Sequence, residues 1–143
     1  MAVRPIPKGY HTVTPYLAVK GSRKLLAWLR KAFDARPIDV VDGPRGSVMH
    51  AEVRIGDSMV MLGEAPPGKP APATLCLYVR DCDAVFRRAV KAGGKVLRKP
   101  ENQFYGDRSG AVKDPCGNQW YIHTHIENLT ALQIATRAAA LEK

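Results

Sequence analysis

The chain has 143 residues, of which 45% are hydrophobic and 24% charged, a length and balance that predict one globular domain and exclude a disordered chain. Its formal net charge of +9 comes from scattered Lys and Arg residues without the aromatic-rich basic stripe of nucleic-acid readers, so nucleic acid is not an expected partner. The three cysteines lack Cys-x-x-Cys spacing, and no secretory segment is recognised. No apolar run approaches the roughly 20 residues that cross a bilayer. These features predict a cytoplasmic protein with no membrane partner.

The first half of the chain predicts a strand, a helix and three further strands. Residues 16–22 alternate and end in a turn, with Ser22 as the expected N-cap of the helix that follows. The helix has one apolar stripe, formed by Leu25, Leu26, Leu29 and Phe33. Two strands are expected within 37–41 and 48–55, and the Gly-Asp turn at the start of 56–62 opens the last strand of this half.

The second half repeats this order. Residues 76–82 align with 16–22 at a separation of 60, and a Gly-Asn turn at 117–123 aligns with the first-half turn at a separation of 61. Asp81 or Asp83 is the expected cap of the second helix, and Gly93-Gly94 is expected to end it. Agreement of two separate alignments favours duplication of one β-α-β-β-β unit.

Three shorter segments complete this prediction. Strands are expected at 95–97 and 110–114 of the second half, and the proline-rich segment 66–72 has the composition of a stiff connector. Asn128 is the expected cap of a final helix that runs to about residue 141.

Four segments of the chain carry a recognisable family pattern. The chain resembles the vicinal oxygen chelate superfamily, which includes glyoxalase I, fosfomycin and bleomycin resistance proteins and extradiol dioxygenases. The closest likeness is to the PhnB-like branch of small glyoxalase-like proteins. The likeness runs from about residue 9 to residue 127, and its most specific stretches are 9–17, 49–58, 103–110 and 113–120.

The resemblance implies an α+β fold in which two βαβββ modules curl into an open cup. It places a single domain over residues 1–143, with module one at about 9–65, a linker at 66–72, module two at about 73–127 and a C-terminal helix at about 128–141. It also implies a homodimer, in which the cups are commonly completed by both chains.

Metal-dependent relatives place His, Gln or Glu at four inward-facing positions, two in each module. In this sequence three of them fall at Thr14, Thr74 and Tyr121, and the internal repeat makes Val60 the fourth. These residue types do not suit a first-row divalent metal, which prefers imidazole and carboxylate ligands. We therefore expect no cofactor and no metal at the usual positions.

Alternation along the strands predicts which side chains line the cup. The expected lining is mixed and rich in tyrosine, and suits a partly apolar ligand: Thr14, Tyr16, His50, Glu52, Val60, Leu62, Thr74, Cys76, Tyr78, Gln119, Tyr121 and His123. His123 and His125 share one face of their strand, which leaves a metal, a pocket hydrogen-bonding and a structural or interface role open.

Two features of the 103–110 segment are further candidates. Phe104 and Tyr105 precede the last hairpin in a loop that often rims the cup in relatives, so they form a candidate lid or simply pack there. Arg108 is a candidate for binding an anionic group of the ligand, unless it pairs with Asp107 or Asp114. The predicted ligand-binding residues are Tyr16, His50, Glu52, Tyr78, Phe104, Tyr105, Arg108, Gln119, Tyr121 and His123.

These observations favour a metal-independent small-molecule-binding protein that sequesters an antibiotic or an aromatic metabolite. The alternative is a glyoxalase-like lyase or isomerase that uses Glu52 or His50 as its general base, with or without a divalent metal. A third hypothesis is an interaction module whose cup is filled by its own side chains.

Overall fold

The computed structural model describes residues 2–142, so the first and last residues of the expected 1–143 domain lie outside the described residues. Each repeat unit contains one α-helix and four strands, as the repeat predicts, and a further helix follows the second unit. The elements in chain order are β1 (Tyr16–Val19), α1 (Ser22–Phe33), β2 (Arg36–Asp42), β3 (Val48–Ile55), β4 (Ser58–Glu64), β5 (Thr74–Tyr78), α2 (Cys82–Lys91), β6 (Lys95–Asn102), β7 (Asp107–Lys113), β8 (Gln119–His125) and α3 (Ala131–Leu141).

The strands form two mixed sheets of four, one from each half. Their strand orders are β1-β4-β3-β2 and β5-β8-β7-β6, and in each the first strand pairs in parallel with the last strand of its half. Within residues 2–142 no strand of one sheet pairs with a strand of the other. The α+β fold with two βαβββ units and a curled, unclosed sheet is thereby confirmed.

One hydrophobic core spans both halves. The apolar stripe of α1 is buried as its spacing predicts, and α1 packs against α2. Trp28 links the halves, because its Nε1 donates a hydrogen bond to the Ala89 carbonyl at 3.1 Å and its ring lies 6.2 Å from that of Trp120. The ring of Phe33 lies 4.9 Å from the same Trp120. The two tryptophans therefore belong to the core.

No helix among the described residues is long and apolar enough to span a membrane.

The start of α1 differs from the expected serine cap. Gly21 is the cap residue, in the left-handed region at φ 96°, and Ser22 is the first helical residue. Glu64, at the end of β4, accepts hydrogen bonds from the backbone N–H groups of Gly21 at 3.0 Å and Ser22 at 2.9 Å, and from Ser22 Oγ at 2.6 Å. These bonds, that of the hydroxyl first, hold the pKa of Glu64 below its ordinary value.

The other two helices begin with side-chain caps. Asp81 accepts a hydrogen bond from the Ala84 N–H at 3.1 Å, which confirms one of the two predicted caps of α2. The expected Asn128 cap of α3 is wrong, because Thr130 and Gln133 form a capping box and the helix begins at Ala131. A capping box satisfies two backbone donors at once, which a single asparagine cannot do.

The β3–β4 and β7–β8 hairpins have loops of different length, and this changes which residues of β4 and β8 are equivalent in the repeat. A two-residue turn joins β3 to β4, whereas a five-residue loop, 114–118, joins β7 to β8. Asp114 holds that loop together: its Oδ1 accepts from the Cys116 and Asn118 N–H groups at 2.8 and 3.1 Å, and its Oδ2 from Trp120 Nε1 at 2.9 Å. The spacing between equivalent residues of β4 and β8 is therefore 60, because Met61 pairs with Tyr16 as Tyr121 pairs with Cys76.

This register corrects the predicted lining of the first module. Met61 lies opposite Glu52 and Tyr16 and shares their face. Val60 and Leu62 are buried in the core and lie on the opposite, helix-covered face. Their assignment to the cup was wrong, and the first-module equivalent of Tyr121 is Met61 rather than Val60.

The connector between the halves lies along the outer edge of β1. The Ala71 N–H donates to the Ala18 carbonyl at 3.0 Å, in an isolated antiparallel bridge. The chain then enters β5, on the other sheet.

Candidate functional site

Each sheet has one face covered by helices and one open face. On the second sheet, the pairs Thr74–Gln119, Cys76–Tyr121 and Tyr78–His123 stand side by side across β5 and β8. Strand alternation therefore brings all six predicted side chains to the open face. Tyr78 is 63% exposed there, whereas His123 is buried.

Asp107, the first residue of β7, is the centre of the hydrogen bonding on this face. It is only 2% exposed, and Tyr78 Oη donates to its Oδ2 at 2.6 Å. The Nδ1 atoms of His123 and His125 lie 3.2 Å from Oδ2 and 2.8 Å from Oδ1. Burial by itself would raise the pKa of Asp107, but the hydrogen bonds from Tyr78, His125 and His123 outweigh burial, so this pKa lies below its ordinary value.

The same carboxylate changes the acidity of its neighbours. The pKa of Tyr78 is raised to about 12, first by its hydrogen bond to Asp107 and then by burial. The pKa of His125 is raised by Asp107 and by Asn128, whose Oδ1 lies 2.8 Å from His125 Nε2. An ionised Asp107 thus stabilises the protonated forms of the groups around it.

His123 carries an unpaired polar atom. Its Nε2 is buried and has no hydrogen-bond partner among the described residues. The ring of Tyr78 stacks on the imidazole at 5.1 Å with an interplanar angle of 29°, and the ring of Tyr105 lies 6.2 Å from it. Leaving a buried polar group without a partner costs about 1–3 kcal/mol, so a hydrogen-bond donor that reached Nε2 would recover part of that free energy.

The loop that carries Phe104 and Tyr105 is fixed to the C-terminal segment. Arg137 of α3 donates to the Phe104 carbonyl at 3.3 Å, and the N–H groups of residues 126 and 127 both donate to the Gly106 carbonyl. The two aromatic rings pack edge to face at 5.2 Å. Burial, and then the charge of Asp107, raises the pKa of Tyr105.

Arg108 is not part of this cluster. It alternates with Asp107 on β7 and forms an ion pair with Asp83 of α2, with Nε 2.9 Å from Oδ1. Neither of the expected partners, Asp107 or Asp114, contacts it, because Asp107 points to the opposite face and Asp114 closes the β7–β8 loop.

The open face of the first sheet holds the two candidate bases. His50 and Glu52 share it with Tyr16, whose ring lies 5.8 Å from that of His50. Tyr10, in the segment before β1, donates a hydrogen bond from its Oη to Glu52 Oε1. Burial first, and then this bond and the charge of Glu52, raise the pKa of Tyr10 to about 12. Glu52 is therefore already engaged by the chain's own N-terminal segment.

The residues at the family's metal positions do not fit a divalent metal. With the corrected register they are Thr14, Met61, Thr74 and Tyr121, which offer neither imidazole nor carboxylate donors. Elsewhere in residues 2–142, no group of three or more His, Cys, Asp and Glu side chains is arranged to hold a metal ion.

A separate cleft of about 1050 Å³ lies at the amino end of α1. It has an apolar proline-rich wall and a basic rim, and no predicted ligand residue lines it. Its acidic residue, Glu64, and one of its cations, Arg23, are engaged in contacts within the fold.

Sequence reasoning missed Asp107 and Tyr10. Both lie inside the family-like segments, but their roles depend on a strand register and a long-range contact. Strand alternation could have indicated Asp107, because it lies two residues before Ser109 and so on the same face of β7. Ser109 pairs with His123 on the neighbouring strand. Tyr10 has no comparable signal, because it precedes the first strand.

Comparisons with known proteins agree with this architecture. A family model described as the Glyoxalase/Bleomycin resistance protein/Dioxygenase superfamily matches residues 10–122. The chain is 36% identical to the uncharacterised protein Rv0887c of Mycobacterium tuberculosis, over 86% of this chain and 81% of that protein.

Solved structures resemble the fold at lower identity. TioX from Micromonospora sp. ML1 has a TM-score of 0.69 and 22% identity, over 81% of this chain and 99% of that chain. The fosfomycin resistance protein FosX from Mesorhizobium loti has a TM-score of 0.59 and 20% identity, over 86% and 95%. The PhnB protein from Bacillus cereus has a TM-score of 0.65 and 16% identity, over 80% and 99%. The family model, which matches most of the chain, shows that it belongs to the glyoxalase/bleomycin resistance protein/dioxygenase superfamily.

Proposed function

We propose that this protein binds a small aromatic molecule on the open face of its second sheet, without a metal, and acts by sequestering that molecule. The observation that carries the proposal is the aromatic cluster of Tyr78, Tyr105 and His123 around Asp107. Aromatic pairs contribute about 0.5–1.5 kcal/mol each beyond the area they bury, so a few such contacts give useful affinity. Tyr121 lies on the same face beside Cys76.

The donor sets on the two faces favour binding over metal chemistry. The side chains at the family's metal positions present hydroxyl groups, a thioether and an aromatic ring to a ligand, and these groups suit a partly apolar molecule. They belong to Thr14, Met61, Thr74 and Tyr121. We derive no step through a metal at these positions, because their donors do not fit one.

The lyase or isomerase alternative has less support. A general base must lie within hydrogen-bonding reach of the proton that it removes. Glu52 Oε1 already accepts a hydrogen bond from Tyr10, which leaves only the other carboxylate oxygen to act as a base.

A homodimer fits the same proposal. Tyr16 and Tyr78 are 49% and 63% exposed on the open faces, and tyrosine is one of the residue types enriched at protein–protein interfaces. A second copy that completes the cup would bury these rings together with the ligand. Sedimentation equilibrium tests this: a monomer at micromolar concentration contradicts the dimer and leaves the binding proposal intact.

A thermal-shift screen tests the proposed function. The probes are aromatic antibiotics and aromatic or thiol-conjugated metabolites, each present at about 100 times its dissociation constant. Ligand linkage then gives about 2.7 kcal/mol, or roughly 5–10 °C in Tm for a chain of this length. The shift should persist in EDTA.

Paired variants test the role of the face. Tyr121→Phe keeps the ring and should keep the shift, whereas Tyr121→Leu removes the ring and should reduce it. The proposal fails if no aromatic probe raises Tm, if EDTA abolishes the shift, or if the two variants behave alike.

A further inference from the structure

The hydrogen-bond partners of His123 favour one tautomer of its ring. Asp107 is an ionised acceptor, so both histidine Nδ1 atoms that face it carry protons. His125 meets an oxygen at each ring nitrogen, Asp107 Oδ1 and Asn128 Oδ1, both at 2.8 Å, which suits a doubly protonated imidazolium. His123 meets an acceptor only at Nδ1. The tautomer that carries its proton on Nδ1 therefore leaves the Nε2 lone pair of His123 free.

The surroundings of this lone pair define what it can bind. The rings of Tyr78 and Tyr105 flank the imidazole, and the carboxylate of Asp107 is already engaged by Tyr78, His123 and His125. The nearby cation, Arg98, is committed to Ser109, to which it donates at 2.7 and 3.0 Å. The site thus matches a flat, uncharged group that carries a hydrogen-bond donor.

We propose that His123 Nε2 accepts a hydrogen bond from a neutral O–H or N–H group attached to an aromatic ring, so that the protein selects phenol-like ligands over their donor-free analogues. This inference rests on the proposed binding function and specifies the chemistry of its ligand. Tyr105 is the nearer of the two loop aromatics to His123, with its ring 6.2 Å from the imidazole, so its side chain borders the path of a ligand to Nε2. The bound donor then replaces the partner that Nε2 lacks.

Phenol and anisole are the matched probes, because O-methylation removes the hydrogen-bond donor and keeps the aromatic ring and its oxygen. In ¹⁵N-labelled protein, long-range ¹H–¹⁵N correlation spectra should show free His123 protonated at Nδ1 and unprotonated at Nε2. Phenol should move the Nε2 resonance towards the protonated range, and anisole should not. Phenol should also bind about fivefold more tightly than anisole, which is the ratio that one net hydrogen bond gives.

Two variants make the test specific. His123→Phe keeps an aromatic ring but removes the acceptor, so the phenol preference should fall to about one. His11→Phe makes the same substitution at an exposed histidine and should keep the preference. If His123→Phe does not fold, the nitrogen shift and the binding ratio of the natural chain decide alone.

The outcomes separate this inference from the proposed function. Equal binding of phenol and anisole with perturbed Tyr78 and Tyr121 resonances overturns the role of His123 but supports an aromatic-binding face. A protonated Nε2 in the free protein also overturns it. If neither probe perturbs the face, this inference is overturned, and the thermal-shift screen decides the proposed function separately.

Discussion

Replacing the carboxylate of Asp107 should destabilise the protein more than any exchange of a surface aspartate. In Asp107→Asn one side-chain oxygen remains, so the amide can still accept from Tyr78 Oη or from a histidine, but it cannot accept from all three donors. A hydrogen bond to a charged acceptor contributes about 1.5–3 kcal/mol, and Asp107 is 2% exposed, which limits screening by water. We expect a loss of about 2–3 kcal/mol in the free energy of unfolding.

Urea denaturation followed by tryptophan fluorescence measures this loss. With a slope of about 2 kcal/mol per molar, typical of small proteins, the midpoint should fall by roughly 1–1.5 M. Asp83→Asn is the matched control, because it makes the same change of charge in a half-exposed pair with Arg108. Such surface pairs contribute about 0–1 kcal/mol. The reasoning is refuted if Asp107→Asn stays within 0.5 kcal/mol of the natural chain, a limit set by ordinary surface exchanges, or if Asp83→Asn costs as much.

Three further predictions concern single contacts. Because the pKa of His125 is raised in the folded protein, the stabilisation that this group contributes is complete below the unfolded pKa of 6.5 and is lost as pH rises through the folded pKa. In His125→Gln the urea midpoint should therefore change less with pH above 6.5 than it does in the natural chain. Glu64→Gln should lower the free energy of unfolding by about 1–2 kcal/mol, as loss of a helix cap does. In the natural chain the stabilisation from Glu64 is lost as pH falls below about 4.5 through the lowered folded pKa, and the variant should lack this pH dependence. In Gly63→Ala the new Cβ would lie 2.4 Å from the Met49 carbonyl oxygen and 2.5 Å from Tyr16 Oη, so unfolding midpoints should show a loss of about 1–3 kcal/mol.

The fold could be predicted from the sequence because each half carries the same local signals. The apolar stripes of α1 and α2 and the alternating strands recur at nearly constant spacing, and the structure has them in the expected order. The error at Val60 and Leu62 arose because the two hairpins differ in loop length. A one-residue change in register moves every side chain of a strand to the other face.

The site was only partly predictable, for a different reason. Tyr78 and His123 could be placed by alternation alone, since each belongs to a clear strand. Asp107 acts through three side chains on two other strands, and Tyr10 reaches Glu52 across 42 residues. Such contacts depend on how the sheets curl and where the N-terminal segment lies, which local patterns do not contain.

The connector along β1 has a consequence for how the protein behaves at high concentration. An edge strand offers unpaired N–H and C=O groups to any other chain, and this is a common route to aggregation. Here the segment 66–72 lies beside that edge, bonds to it through Ala71 and carries four prolines, which have no N–H to donate. The peptide that joins the duplicated halves therefore also obstructs pairing of another chain with the β1 edge of the first sheet.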